Sequence, residues 1–133
     1  MKKRLAILLD TNALLLLVSS GGKPFGKTAQ RIFDSADVVY VSSVSILEIR
    51  LKSMLGKLKI SGDITEVIRS SNLQELVVTH THADGVDRFP SLTHHDPFDR
   101  LLLSQAAVED LILLTSDNIL IDLNLPYVLN SEL

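Results

Sequence analysis

Ile7-Leu8-Leu9-Asp10-Thr11-Asn12 decides the fold: it is an apolar run that ends in a carboxylate. Residues 5–9 are all apolar, too many in succession for a strand with one face in water, so the run predicts a strand buried on both faces of a parallel sheet. Asp10 then stands at the carboxyl end of that strand. In open α/β sheets the ligand crevice lies outside the carboxyl ends of the strands, where the strand order reverses. A lone carboxylate at the rim of a buried strand is strongly disfavoured, and is normally met by a partner, by hydrogen bonds or by a cation. Taken alone, the stretch reads equally well with Asp10 as the cap of a helix beginning near Asn12. The choice turns on whether other acids fall at equivalent places.

Working outward, residues 13–18 are apolar all round and predict a short buried helix that stops at Gly21-Gly22 and Pro24. Helical spacing of Ala29, Ile32, Phe33 and Ala36 predicts a helix over 27–36, and the β-branched and aromatic 38–41 a second strand. A long helix is expected over 42–58, with Ile46, Ile49, Leu51, Met54, Leu55 and Leu58 as its apolar positions and Gly56 as a weak spot. Asp63, with Glu66 as capping-box partner, opens a helix running through Ser70, and 76–79 reads as a third strand. Residues 81–88 suit one or two helical turns and 89–92 a loop. Asp96-Pro97 is the best-marked helix start, since Asp favours the N-cap and Pro the first helical position; that helix runs to about Glu109. Residues 111–114 form a fourth strand ending at Thr115-Ser116-Asp117, and 127–129 a short last one. Strands alternating with helices on short loops predict an α/β fold with a central parallel sheet of about five strands covered on both sides.

A length of 133 residues suits one domain, residues 1–133, with a single core. With 46% hydrophobic and 22% charged residues, the chain carries more apolar surface than a monomer needs, which predicts an oligomer or complex. The net charge of -3 gives no global footprint for nucleic acid, so any such binding must come from a local patch. The absence of cysteine excludes a disulfide framework and thiolate metal sites. Lys2-Lys3-Arg4 followed by an apolar stretch imitates a signal peptide or membrane anchor, but Asp10-Thr11-Asn12 cuts it in half. An Asp at the centre of a span costs about 2.5–3.5 kcal/mol, and neither half approaches the roughly 20 residues a span requires. A cytoplasmic, soluble chain is expected. Gly21-Gly22 lacks the context of a phosphate-cradling loop.

Four acids fall where this reading places chain ends facing one crevice: Asp10 after the first strand, Glu48 after the second, Asp99 in the first turn of its helix and Asp117 after the fourth strand. Each has a structural explanation by itself. Ser45-Ile46-Leu47-Glu48 is a good capping box, Asp99 favours the helix dipole and Asp117 could cap the next helix. Helix caps, however, have no reason to gather at one end of a sheet in both halves of a chain. A carboxylate cluster without thiolates and with few plausible histidines suits Mg²⁺ or Mn²⁺, and two such ions about 4 Å apart can clamp a phosphodiester.

The order Leu8-Leu9-Asp10-Thr11-Asn12, then Ser45-Ile46-Leu47-Glu48, then His95-Asp96-Pro97-Phe98-Asp99-Arg100-Leu101-Leu102 with Gln105-Ala106, then Thr115-Ser116-Asp117 resembles the PIN-domain ribonucleases, most of all the VapC-type toxins. The resemblance covers nearly the whole chain. It implies a three-layer α/β/α PIN-like domain and a metal-dependent endoribonuclease that cleaves RNA phosphodiesters with metal-activated water. It also implies that the protein is the toxin of a type II toxin–antitoxin system whose partner is a small antitoxin, with a homodimer expected as well. Asp10, Glu48, Asp99 and Asp117 would be the catalytic, metal-binding acids, with Thr11, Asn12 and Thr115 as polar supports. One departure is Leu47, where close relatives often carry Trp; this changes packing more than chemistry. Asp96 is assigned to the N-cap because Pro97 follows it, with a metal role as the alternative.

Arg50, Lys52, Lys57 and Lys59 occur within ten residues without an intervening acid, and are candidate RNA contacts beside Glu48 or, equally, a solvated helix face. His80, His82, His94 and His95 lack zinc-site spacing and read as solvated or hydrogen-bonded, with His94 or His95 able to meet substrate at the cleft rim. Two rivals stand against the ribonuclease: an acid-site phosphate hydrolase with Asp10 as nucleophile, disfavoured because Asn12 replaces the second Asp of a DxD motif, and a non-catalytic binding module that keeps the fold.

Overall fold

β1 (Ala6–Leu9) is the central strand of a five-stranded sheet in the computed structural model, which describes residues 4–20, 22–60 and 62–133. Ile7, Leu8 and Leu9 are fully buried, as an uninterrupted apolar run requires of a strand covered on both sides. It is flanked by β2 (Val38–Ser42) and β4 (Ile112–Thr115), with β3 (Gln74–Leu76) and β5 (Val128–Asn130) at the edges. The order is β3-β2-β1-β4-β5 and every pairing is parallel. Leu8 stands opposite both Tyr40 and Leu113. The chain therefore steps outward from β1 to β2 and β3, then returns to β4 on the other side. The strand order reverses between β1 and β4, and the carboxyl ends of these two strands frame the crevice that such a reversal opens.

Alternate residues of each strand feed opposite faces. On one face Ile7, Leu9, Val41 and Leu114 pack with Ala13 and Leu14 of α1 (Thr11–Ser20), Ala29 of α2 (Lys27–Asp34), Ile49 of α3 (Ser43–Met54) and Ile64 of α4 (Ile64–Ser70). On the other, Leu8 and Leu113 pack with Leu102, Leu103 and Ala106 of α6 (Pro97–Glu109) and Leu120 of α7 (Asn118–Ile121). The fold is thus the three-layer α/β/α arrangement expected. Between β3 and α6 lie α5 (His80–Asp84) and the 3-10 turns Gly85–Arg88 and Pro90–Leu92, the second of which replaces the expected loop over 89–92.

Local signals account for most boundaries. The Asp96 side chain accepts the Phe98 N–H at 2.8 Å, with Pro97 at the first helical position. Asp63 caps α4 through the Thr65 N–H, but Glu66 turns away to pair with Arg69 at 2.6 Å instead of closing a capping box. α3 ends at Met54, short of residue 58, because Gly56 adopts φ +72, a conformation that costs glycine little and terminates a helix. The third strand runs earlier than 76–79: Thr79 is recruited as the N-cap of α5, and Val77 and Val78 are exposed. α1 is less buried than its composition suggests, since Leu16 is 39% exposed. Gly21, expected to help stop α1, lies outside the described residues, as do Lys2 and Lys3. Among the described residues no helix is long and apolar enough to cross a membrane.

Candidate metal centre

Asp10 leaves β1 with its N–H still on the Leu114 carbonyl at 3.1 Å, so the β1–β4 pairing runs on into the acid itself. Its side chain is 4% exposed. Oδ1 accepts the Ala13 N–H at 2.7 Å and Oδ2 accepts the Thr115 hydroxyl at 2.5 Å. Both readings of Asp10 therefore hold: it caps the start of α1 and it sits at the head of the crevice. Thr115 Oγ1 also accepts the Asp117 N–H at 3.0 Å, so one hydroxyl ties together the ends of the two strands.

Glu48, 5% exposed, comes from the second turn of α3. The capping-box reading of Ser45 and Glu48 does not survive. The N-cap is Ser42, which accepts the Val44 N–H, and Ser45 is an interior helical residue. Glu48 Oε1 lies 2.6 Å from the Thr11 hydroxyl, which is also 2.9 Å from Ser45 Oγ. A hydroxyl has one proton, and the carboxylate is the stronger acceptor, so Thr11 donates to Glu48 and Ser45 donates to Thr11. Glu48 Oε2 meets the Lys52 ammonium at 2.5 Å. All four basic residues of this segment are exposed, but Lys52 lines the cleft beside Glu48, whereas Arg50, Lys57 and Lys59 do not. Burial of a carboxylate this deep is sustained by a charge partner and by the Thr11 hydroxyl, itself held by Ser45.

Asp99 follows one turn after Asp96 on α6, and Asp117 arrives from the end of β4, where its Oδ1 caps α7 through the Ile119 N–H at 2.8 Å. Between them stands His95. Its Nε2 is 3.2 Å from Asp99 Oδ2 and 3.3 Å from Asp117 Oδ2. Asp10, Glu48, Asp96, Asp99 and Asp117 all line one open cleft of about 250 Å³, together with Thr11, Asn12, Lys52 and Ser116. Asn12 is exposed and reaches across to Ser116 Oγ at 3.2 Å. Asp96 is placed in both its expected and its alternative role, as N-cap of α6 and as part of the lining.

The charges in this cleft are out of balance. Burial raises the Asp10 carboxyl above its ordinary value, opposed by the hydrogen bonds from Thr115 and Ala13. Asp99 is pushed up to about 7, first by burial, then by the negative charges of Asp96 and Asp117 and a hydrogen bond to Asp117. Lys52 is raised by its hydrogen bond to Glu48. A carboxyl that retains its proton near neutrality, among acids at the mouth of a sheet, marks a place short of positive charge. Carboxylate oxygens without a thiolate are a donor set that fits Mg²⁺ or Mn²⁺.

The sequence reading placed Lys52 beside Glu48 as a candidate RNA contact and His95 at the cleft rim, but not the pairing of Lys52 with Glu48 or of His95 with Asp99 and Asp117. The signal for each was the i,i+4 spacing to an acid, Glu48 to Lys52 and His95 to Asp99. The other histidines divide. His80 and His94 are exposed, whereas His82 is buried rather than solvated. Its Nδ1 accepts the Thr79 N–H at 3.0 Å, so its proton lies on Nε2, 2.7 Å from Glu109. Ser104 Oγ donates to the His82 carbonyl at 2.6 Å, locking α5 to α6.

The PIN domain family model matches residues 7–124. A comparison with curated proteins found no match. Among solved structures, a chain of a toxin–antitoxin complex from Klebsiella pneumoniae aligns with TM-score 0.63 and 15% identity, covering 96% of this chain and 99% of that one. A chain of VapBC2 from Rickettsia felis, bound to a DNA fragment from their promoter, aligns with TM-score 0.65 and 15% identity over 94% and 96% of the two chains. DNA-bound VapBC from Salmonella typhimurium gives 0.64 and 18% over 93% and 95%. At these identities the likeness is one of fold.

Proposed function

This chain belongs to the PIN-domain family, and from that premise we propose that it is a metal-dependent endoribonuclease, the toxin of a type II toxin–antitoxin pair, working as one domain over residues 1–133 in the cytoplasm. The observation that carries the reading is the convergence of Asp10, Glu48, Asp99 and Asp117 on one cleft at the reversal of the strand order.

Those four acids would hold Mg²⁺ or Mn²⁺, which when bound would make a water acidic enough to yield hydroxide, the nucleophile toward a phosphodiester, and would offset charge on the phosphate. The chain's own residues prepare the place. Thr115 and the Ala13 N–H fix both oxygens of Asp10, and Thr11 fixes Glu48, so the acids are oriented beforehand. Lys52 neutralises Glu48 and, being 47% exposed on a flexible stem, can exchange that carboxylate for a phosphate oxygen of the substrate. Exposed Arg50, Lys57 and Lys59 continue the positive surface along the same segment, as RNA contacts. Asn12 and Ser116 offer hydrogen bonds at the mouth of the cleft.

Leu47, Leu51, Met54 and Leu55 recur at helical spacing around α3, the helix that carries Glu48, and all are exposed, Met54 by 82%. This supports a protein partner beside the cleft, the small antitoxin, and an apolar contact of this kind also suits a homodimer. The structural relatives include chains of toxin–antitoxin and VapBC complexes, which supports the same assignment.

The test is cleavage of single-stranded RNA by the pure, partner-free protein with Mn²⁺ or Mg²⁺, alongside calorimetric titration of Mn²⁺. Cleavage that stops with EDTA, and both cleavage and metal binding lost in a folded Asp10→Asn protein, are expected. Retained cleavage in that variant, or a folded wild type that neither binds metal nor cuts RNA, would refute the proposal.

A further inference from the structure

Among the described residues, one group of three metal-ligating side chains brings its donor atoms within 4.8 Å of one another, and it is not a set of acids alone: it is His95, Asp99 and Asp117. Asp10 and Glu48 line the same cleft but stand outside this trio. We infer that His95 is a direct metal ligand, and that the trio selects a first-row transition cation of the Mn²⁺ class over Mg²⁺. The inference rests on the metal-dependent reading above and deepens it by adding a ligand and a metal preference.

The geometry carries the argument. A cation about 2.1 Å from each donor holds neighbouring donors roughly 3.0 Å apart at octahedral angles and roughly 3.4 Å at tetrahedral ones. Here Nε2 of His95 lies 3.2 and 3.3 Å from the two carboxylate oxygens. His95 and Asp117 are also held in place. The His95 N–H is bound to the Leu92 carbonyl at 2.9 Å, in a 3-10 turn anchored by buried Leu92, and the next residue is the capped start of α6. Asp117 has committed Oδ1 to the Ile119 N–H, leaving Oδ2 to face the imidazole. His95 precedes the N-cap of α6 and Asp99 lies in the first turn of that helix, while Asp117 follows β4 and caps α7, so the trio joins two separate parts of the chain.

Chemistry then sets the preference. Mg²⁺ is bound through oxygen and keeps several waters, whereas an imidazole nitrogen favours transition cations. The competing account is that His95 is a plain counter-charge lying between two acids, like Lys52 beside Glu48. The two accounts differ in what removing the imidazole does. Loss of a ligand lowers affinity for Mn²⁺ far more than for Mg²⁺. Loss of a competing cation raises affinity for both alike.

The experiment is calorimetric titration of the full chain with MnCl₂ and with MgCl₂, for wild type and His95→Gln, with folding checked by circular dichroism. In parallel, the histidine ring resonances are followed by NMR as trace Mn²⁺ is added. The Mn²⁺ to Mg²⁺ affinity ratio is expected to fall at least tenfold in His95→Gln, chiefly through Mn²⁺. In the wild type the His95 ring signal is expected to broaden before those of His80 and His82. An unchanged ratio, or equal gains for both metals, overturns the inference while leaving the nuclease reading standing. A folded wild type that binds neither metal overturns both.

Discussion

Asp99→Asn should make the metal-free protein more stable, and how much more should depend on pH. The Asp99 carboxyl sits at about 7 in the folded protein against an ordinary 3.8. A group whose folded value is raised retains its proton in the native state while the unfolded chain has already lost it. Stability therefore falls as pH rises from about 4 to about 7, and the penalty is complete above 7. Taken at face value the difference amounts to about 4 kcal/mol. The side chain is 19% exposed in a cleft open to water, and screening there leaves roughly 2 kcal/mol. In EDTA at pH 8, urea unfolding of Asp99→Asn should give a free energy about 2 kcal/mol above wild type, and the two proteins should coincide near pH 4. Saturating Mn²⁺ should reverse the order, since a ligand at a hundred times its dissociation constant adds about 2.7 kcal/mol to the protein that binds it. A variant less stable than wild type in EDTA at pH 8 would refute the reasoning. It would mean that His95 and the surrounding dipoles more than offset the repulsion from Asp96 and Asp117.

Other substitutions probe the supports around the cleft. Thr115→Val removes the hydroxyl that Asp10 and the Asp117 N–H share, and should weaken Mn²⁺ binding about tenfold by calorimetry, whereas Thr115→Ser should retain it. A Cβ at Gly85 would meet Ser104 Oγ at 2.4 Å, so Gly85→Ala should cost about 1–3 kcal/mol in urea unfolding. Adding Ser104→Ala should recover part of that loss, a coupling that strict additivity would contradict. Leu51→Glu with Met54→Glu should leave thermal stability nearly unchanged, because both positions are exposed. If α3 is a docking face, the pair should nonetheless lower the apparent mass in sedimentation or abolish capture of a co-expressed antitoxin.

The sequence carried much of this architecture because its strongest signals are local. Five apolar residues before Asp10 can only be a strand covered on both sides, and Asp96-Pro97 can hardly be other than a helix start. The helix start holds, and the strand holds over Ala6–Leu9 with Leu5 outside it. Where two local signals compete, the outcome depends on contacts that no window contains. Ser45 reads as a cap from its spacing to Glu48, but it lies inside α3 against Thr11, far away in the chain, and Ser42 caps the helix instead. Val77 and Val78 have the composition of a strand, but β3 has a neighbour on one side only, and Thr79 gains more by capping α5. The four acids were legible as a set because strand ends in a parallel sheet share one edge. His95 was legible only as a residue of the cleft rim, because its meeting with Asp117 joins the segment before α6 to the segment after β4, and only the docking of α6 against β4 creates it.

The hydrogen bond from Thr115 to Asp10 joins residues 105 positions apart, and that separation has a consequence in time. While the chain is being made, β1, β2 and α3 emerge first, and Thr11 can find Glu48 among them. Nothing in that first half holds the second oxygen of Asp10, or supplies Asp99 and Asp117. Pairing of distant segments is the slow part of folding, so the cleft is unfinished until the fourth strand has slid in beside the first. A chain whose proposed activity destroys RNA thus reaches its hazardous form only after its fourth strand has been made.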